Sequence, residues 1–407
     1  MSLLDQLPAV DQALIAQIVA AAERRDVAVY LVGGPVRDLL LGQTAVDLDF
    51  AVEGDAAALV TTLVNQAGGQ ADFSATGFFG TAKWQRDGLS SIDFARTRRE
   101  SYATPGALPT VAAGAVSIAD DLFRRDFTIN ALAVDLRNGQ LCDPYGGRSD
   151  LQQGLIRVLH DQSFRDDPTR LFRATRFAAR LNFRLDVHTA ALIPAALPVI
   201  EQISGERIRH EIARILTEAE PEAALLRLDA LHVLTTVQPD LRTDDWLICA
   251  FRALRWYLDA LTHDTLALNY WAILGCRTEP LQRLNLSRAI TESIAETRRI
   301  YLNFDQMTAS TPPSIYVPFF ERAPLAVLWA IAPLAIYRTR IEDCAARGQY
   351  VQPALSGDDL KAMGLQPGPR FRTILTALRA ALLDSQISTA AEERTLLARW
   401  IAEGRYP

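Results

Sequence analysis

Lysine is almost absent from this chain: Lys83 and Lys361 are the only two among 407 residues, so nearly all of the 42 basic side chains are arginine. An arginine inventory suits planar, bidentate recognition of phosphate and carboxylate, but a GC-rich coding bias gives the same excess, so placement bears on function more than abundance does. Cysteine is scarce as well. Cys142, Cys249, Cys276 and Cys344 are scattered without metal-ligand spacing, which argues against zinc and a disulfide framework and leaves buried free thiols as the expectation. No apolar run reaches the ~18 residues of a membrane span, and residues 1–10 lack the basic segment and apolar core of a signal peptide. A cytoplasmic protein with no membrane partner is expected. The net charge of -6 and pI near 5.5 argue against a generally basic nucleic-acid binder, so any contact with RNA must come from local arginine patches. What is present is apolar material: 49% hydrophobic residues over this length gives core for roughly two to four compact units.

The chemistry starts near the N-terminus. Residues 27–32 read as a short buried strand; Gly33 and Gly34 then let the backbone bend closely around an anion, and residues 36–41 begin a helix with Arg37 in its first turn. Asp47-Leu48-Asp49 follows shortly after. Side chains two apart on a strand share a face, so Asp47 and Asp49 point one way while Leu48 and Phe50 face the core. Two hard oxygen ligands converge there, suited to Mg²⁺ held against the phosphates that Arg37 would clamp. Metal ions bridging attacking and leaving oxygens are what an in-line nucleotidyl transfer requires. Singly, a glycine pair is an ordinary turn and Asp-x-Asp an ordinary solvated strand face; their order along the chain gives the functional reading its weight.

Gly33-Gly34-Pro35-Val36-Arg37-Asp38 followed by Asp47-Leu48-Asp49 resembles the head of the tRNA nucleotidyltransferase (CCA-adding enzyme) and bacterial poly(A) polymerase family, bacterial-type (class II), in the polymerase-β-like nucleotidyltransferase superfamily. Further motifs match in order: Asp121-Leu122-Phe123-Arg124-Arg125-Asp126 with Asn130 behind it, Asp166-Asp167-Pro168-Thr169-Arg170, and Glu206-Arg207-Ile208-Arg209-His210-Glu211. The resemblance is strong through Arg214 and weaker beyond. It implies an α+β fold: a nucleotidyltransferase head with a mixed sheet and flanking helices over residues 1–145, then an all-α neck (146–220) that selects the nucleotide, a body (221–345) and a tRNA-binding tail (346–407). The implied activity is addition of CCA, or part of it, to the tRNA 3′ end from CTP and ATP without a nucleic-acid template. Poly(A) polymerase and A-only or CC-only enzymes are the alternatives; a noncatalytic RNA-binding relative is disfavoured by the intact aspartate pair. Carried over motif by motif, Asp47 and Asp49 are catalytic and hold Mg²⁺, and Gly33, Gly34, Arg37 and Arg125 grip the triphosphate. Asp167 and Arg170 select the base, and Arg173 and Arg176 contact phosphates or stack nearby.

Between residues 78 and 98 two strands are expected around the Arg86-Asp87-Gly88 turn, with Asp93 on the second. A third carboxylate on a neighbouring strand is the superfamily's candidate for deprotonating the primer hydroxyl; a partly exposed strand carboxylate is the plain alternative. Residues 98–114, rich in glycine and proline, are expected as a surface loop near the active face, resembling the loop by which family members move between adding C and adding A. Arg170, Arg173, Arg176, Arg180 and Arg184 fall within an arc of roughly 120° on a helix, a basic stripe.

Asp167 and Arg170 lie one helical turn apart. Cytosine and adenine both show an exocyclic amino group beside a ring acceptor, which one carboxylate and one guanidinium satisfy, whereas uracil and guanine would set a carbonyl against the carboxylate. Asp166 departs from the glutamate common in the family, so its hold on Arg170 is less secure. Glu206, Arg207 and Glu211 read as intrahelical pairs bracing the neck. Later helices are expected over 223–231, 246–261, 281–301 and 325–347. Residues 356–370 resemble a family tail that meets the tRNA backbone at the acceptor and T arms.

Overall fold

Ala28–Val32 (β1) is buried at every position, as a strand enclosed on both faces requires, and it lies inside a seven-stranded sheet. The computed structural model describes residues 2–44, 48–73, 80–85, 91–112, 116–257, 263–333, 335–348 and 350–405. They form two compact units, residues 1–239 and 240–407.

In the first unit, helix α1 (Ala9–Arg25) precedes β1, and α2 (Gly34–Leu40) follows it. Next come β2 (Asp49–Glu53), α3 (Ala56–Ala67), β3 (Gln70–Phe73), β4 (Thr81–Gln85) and β5 (Ile92–Arg96). A two-residue ribbon of β6 (Glu100–Ser101) and β7 (Thr110–Val111), helix α4 (Ile118–Phe123), β8 (Ala133–Asp135) and β9 (Leu141–Cys142) complete the sheet-bearing part. The strand order is β3-β4-β5-β2-β1-β8-β9. β2 and β5 run parallel, because α3, β3 and β4 lie between them and each reverses the direction of the chain; the other neighbours are antiparallel. Phe50 and Phe94 are buried and stack with centroids 5.2 Å apart, which fixes the register that sets Asp49 opposite Asp93. Beneath them Leu59, Val60 and Leu63 of α3 are fully buried, and Trp84 donates its indole N–H to the Gly68 carbonyl at 3.0 Å.

The polypeptide then forms α5 (Gly147–Gln153), β10 (Leu155–Ile156), α6 (Ser163–Asp166), α7 (Thr169–Arg180), β11 (Arg184–Leu185), α8 (Val187–Ala191), α9 (Ile193–Ile200), α10 (Gly205–Leu216), α11 (Pro221–Ala230) and α12 (Val233–Val237). The mixed sheet and mostly helical remainder agree with the α+β expectation, with three local differences. Strand β3 was not anticipated, because its residues are mostly exposed on an edge and carry no alternation. The expected 98–114 loop carries the β6–β7 ribbon, a long-range pairing of Glu100 with Val111 that composition does not reveal. Arg184 is not on the arginine helix: α7 ends before Asn182, which has φ +53°, and Arg184 pairs within the parallel β10–β11 ribbon.

The second unit is built, among its described residues, from α13 (Asp245–Tyr257), α14 (His263–Gly275), α15 (Arg288–Tyr301), α16 (Pro313–Phe320), α17 (Leu325–Ile331), α18 (Ala335–Arg347), α19 (Gly357–Ala362), α20 (Pro369–Leu383) and α21 (Ala390–Ala402). The expected 325–347 helix is broken at Ala332-Pro333, where proline cannot supply the next backbone donor. The expected 281–301 helix opens on a 3₁₀ turn and becomes α-helical only after its Ser287 cap. Cys276 and Cys344 are buried as expected, but Cys142 is half-buried and Cys249 is exposed on α13. Among the described residues no single helix is long and apolar enough to cross a membrane.

Candidate active site

Most of the residues singled out by sequence converge on a cleft of about 830 Å³ in the first unit. Its floor is the glycine turn. Gly33 has φ +75°, and a Cβ there would sit 2.6 Å from Nη1 of Arg125, so a side chain is excluded both by the backbone and by the guanidinium against it. Arg37 is 5% exposed; its Nε donates to Asp38 at 2.8 Å and its Nη1 to the Asn130 side-chain oxygen at 2.8 Å. Asn130 donates in turn to Asp126 at 3.0 Å, whose other oxygen accepts Nε and Nη2 of Arg173 at 2.8 and 2.5 Å. Burial opposes ionisation of Asp126, but the Arg173 guanidinium and the Asn130 amide outweigh it and hold its pKa below the usual carboxylate range. One continuous network therefore links the glycine turn to α7.

Arg125 is held more loosely. Its Nη2 lies 3.4 Å from Asp121, its Nε is buried without a partner, and burial lowers its pKa. A desolvated, underpaired guanidinium beside a glycine turn is arranged for an anion. Asp121, fully buried, also accepts the Arg98 backbone N–H and Nε of Arg124, so the root of the β6–β7 ribbon is tied to the same helix.

Asp49 is exposed at the head of β2 and lines the cleft; Asp93 stands in register with it on β5, half-exposed and 3.1 Å from Nζ of Lys83. The structure thus brings Asp49 and Asp93 together, while Asp47 lies outside the described residues. Carboxylate oxygens on adjoining strands are hard donors and fit a divalent cation of the Mg²⁺ type.

The arginine stripe is not a solvated face. Arg170 is 4% exposed and donates to the Ser163 hydroxyl at 2.6 Å and the Arg124 carbonyl at 2.8 Å. Arg176 and Arg180 both pair with Glu218, at 3.2 and 2.6 Å. Three guanidiniums, those of Arg37, Arg173 and Arg176, lie 5.2, 5.7 and 4.7 Å from the ring centroid of Phe177. Asp167 does not pair with Arg170. Its Oδ1 accepts Thr169 and, at 2.8 Å, Nη2 of Arg207, while its Oδ2 makes no hydrogen bond among the described residues; Asp167 and Arg170 both line the cleft.

Two expectations need correcting. Asp166 does not orient Arg170; it lies 4.0 Å from His160, and Ser163 and a backbone carbonyl hold the guanidinium instead. Nor is Arg207 an intrahelical brace. It leaves α10 to donate to Asp167 and to the Gly106 carbonyl at 2.7 Å, joining the long loop to α7's N-terminal end. Glu218, Ser163 and Phe177 were not singled out by sequence, because nothing local marks them; only the packing of α7 against its neighbours puts them beside arginines. Glu211, which lines the cleft, retains a buried Oε2 without a partner.

Against known proteins, residues 29–157 match the "Poly A polymerase head domain" and residues 182–244 the "Probable RNA and SrmB- binding site of polymerase A". An A-adding tRNA nucleotidyltransferase of Geobacter sulfurreducens is 34% identical over 97% of this chain, and the chain spans 47% of that relative's length. An A-adding tRNA nucleotidyltransferase of Halalkalibacterium halodurans is 33% identical over 85% of this chain and 82% of its own. A solved CCA-adding enzyme in an apo form superposes with a TM-score of 0.84 at 26% identity, covering 98% of this chain and 97% of that one. This chain belongs to the tRNA nucleotidyltransferase and poly(A) polymerase family.

Proposed function

We propose that this protein transfers a nucleotide from a nucleoside triphosphate to the 3′ end of tRNA, terminal adenylate from ATP being the reading that the A-adding relatives favour. Full CCA synthesis with CTP and ATP is the second reading, favoured by the likeness to a CCA-adding enzyme over nearly the whole length. The observation that carries the proposal is the meeting, in one cleft, of an exposed Asp49, an underpaired Arg125 against a glycine turn, and Asp167 and Arg170 with their polar edges unspent on each other.

In this reading Asp47 and Asp49 hold Mg²⁺, which when bound would neutralise phosphate charge and lower the barrier to attack. Arg125 and the Gly33-Gly34 turn grip the triphosphate, and Arg37 keeps the turn in place through Asn130. Arg173 and Arg176 add positive potential from the side while their own carboxylates restrain them. Oδ2 of Asp167 accepts the exocyclic amino group of adenine or cytosine, and Arg170 donates to the ring nitrogen beside it. Guanine and uracil would leave that carboxylate facing a carbonyl oxygen, an unpaired buried contact that rejects them. The tRNA terminal hydroxyl attacks the α-phosphorus, the new phosphodiester forms, and pyrophosphate leaves; in this reading Asp93 receives the hydroxyl proton once it parts from Lys83. The head, neck, body and tail at 1–145, 146–220, 221–345 and 346–407 would then be a catalytic part, a selecting part, a helical body and a helical tRNA-binding tail. The cytoplasm is the compartment this substrate implies.

The test is incubation with tRNA ending before CCA, after C, or after CC, with CTP and ATP supplied separately. One A on the CC-ended substrate and no use of CTP supports the A-adding reading; CTP incorporation supports CCA synthesis. Tracts of A on unstructured RNA would point to a poly(A) polymerase. Asp47→Ala should abolish incorporation and leave tRNA binding intact; binding without incorporation by the wild type would sink the catalytic reading.

A further inference from the structure

The second unit carries an aromatic surface that the nucleotide cleft does not use. Trp256, on the last turn of α13, is 76% exposed, and its ring stacks on Trp329 of α17 with centroids 5.7 Å apart and planes 21° from parallel. So exposed an indole presents one covered face and one open one, a large apolar surface left to water. The ring behind it is itself oriented, because Trp329 donates its indole N–H to Glu342 on α18 at 2.9 Å. Arg338, also on α18, sets its guanidinium 4.8 Å from the Trp329 ring centroid. Among the described residues Arg338 makes no hydrogen bond or ion pair, and its Nε is buried without a partner. Arg277, Arg298, Arg347 and Arg379 of the same unit, by contrast, each pair with a carboxylate. Arg252 lies exposed one helical turn before Trp256 on the same stripe of α13.

We propose that this surface is a base-stacking contact for RNA, in which an unpaired base lies on the open face of Trp256 and a backbone phosphate meets Arg338. The chemistry selects the partner. A flat π surface rigidly backed by a second indole takes a nucleobase of any identity, and a guanidinium balanced only by a ring is short of an anion, which RNA supplies along every strand. A lipid surface would call for a cluster of exposed apolar side chains rather than one indole beside arginines. The contact would anchor substrate without reading its sequence.

The inference rests on the proposal that the substrate is tRNA, so binding and incorporation must be read separately. In the full-length protein, a tRNA transcript ending in CC is titrated by filter binding, and AMP incorporation is measured on the same transcript. Trp256→Ala and, separately, Arg338→Gln should each weaken binding roughly five- to tenfold and raise KM for tRNA to match, while KM for ATP stays unchanged. Trp256→Phe keeps an aromatic face and should restore most of the affinity. Since Trp256 is exposed, its truncation leaves the fold in place, which a circular dichroism melt verifies. Binding by Trp256→Ala within roughly twofold of wild type would overturn the platform. Failure of the wild type to incorporate any nucleotide, with binding still lost in Trp256→Ala, would instead overturn the catalytic proposal alone.

Discussion

Asp126 offers the sharpest test of the network beneath the cleft. Replacing it by asparagine keeps an oxygen for the Phe127 backbone N–H and the Asn130 amide, which now lie 2.9 and 3.0 Å from Oδ1. The other oxygen becomes an NH₂ group facing the two N–H donors of Arg173, donor against donor, with the arginine charge no longer matched. Removing one partner of a buried ion pair costs about 3–5 kcal/mol; the Arg173 side chain is 28% exposed and can turn partly to water, which places Asp126→Asn at about 3 kcal/mol. The pH dependence has a definite sign. A carboxylate whose pKa is lowered in the folded state stabilises above its unfolded pKa and loses that contribution as pH falls through the folded value. The stability gap between wild type and variant should therefore be flat from neutral pH down to about 5, then close below about 4, the range of an unfolded aspartate. Hydrogen exchange of the α7 amides measures this without requiring both units to unfold together. A gap under about 1 kcal/mol at pH 7, or one that persists unchanged in acid, would refute the network as the support of α7.

Arg207→Ala should release both Asp167 and the Gly106 carbonyl: discrimination of ATP against GTP and UTP is expected to fall roughly tenfold, with new protease cleavage around Thr104–Ala107, because two charge-assisted hydrogen bonds are lost. Unchanged selectivity would mean that the loop tie is only structural. Gly33→Ala places a methyl against Arg125 at a positive φ and should raise KM for ATP by roughly tenfold or more with a stability loss of about 1–3 kcal/mol, read by steady-state kinetics and a denaturant melt. Phe177→Ala removes the ring shared by Arg37, Arg173 and Arg176 and should cost about 3–5 kcal/mol, measured by urea unfolding.

The sequence by itself determined the elements whose information is local. A buried apolar run followed by paired glycines named β1 and its turn, alternation around Phe50 put Asp49 on the open face, and arginine spacing drew the α7 stripe through Arg180. Resemblance of ordered motifs supplied the roles. What only the tertiary structure decided were relations between distant segments: that Asp49 meets Asp93 across a parallel pair, that Arg170 is held by Ser163 and a backbone carbonyl, that Arg176 and Arg180 share Glu218, and that Arg207 reaches Gly106. The physical reason is the same in each case. A charge has a partner wherever packing brings one within hydrogen-bond reach, and reach is set by helix and strand placement many residues away, which no local spacing encodes.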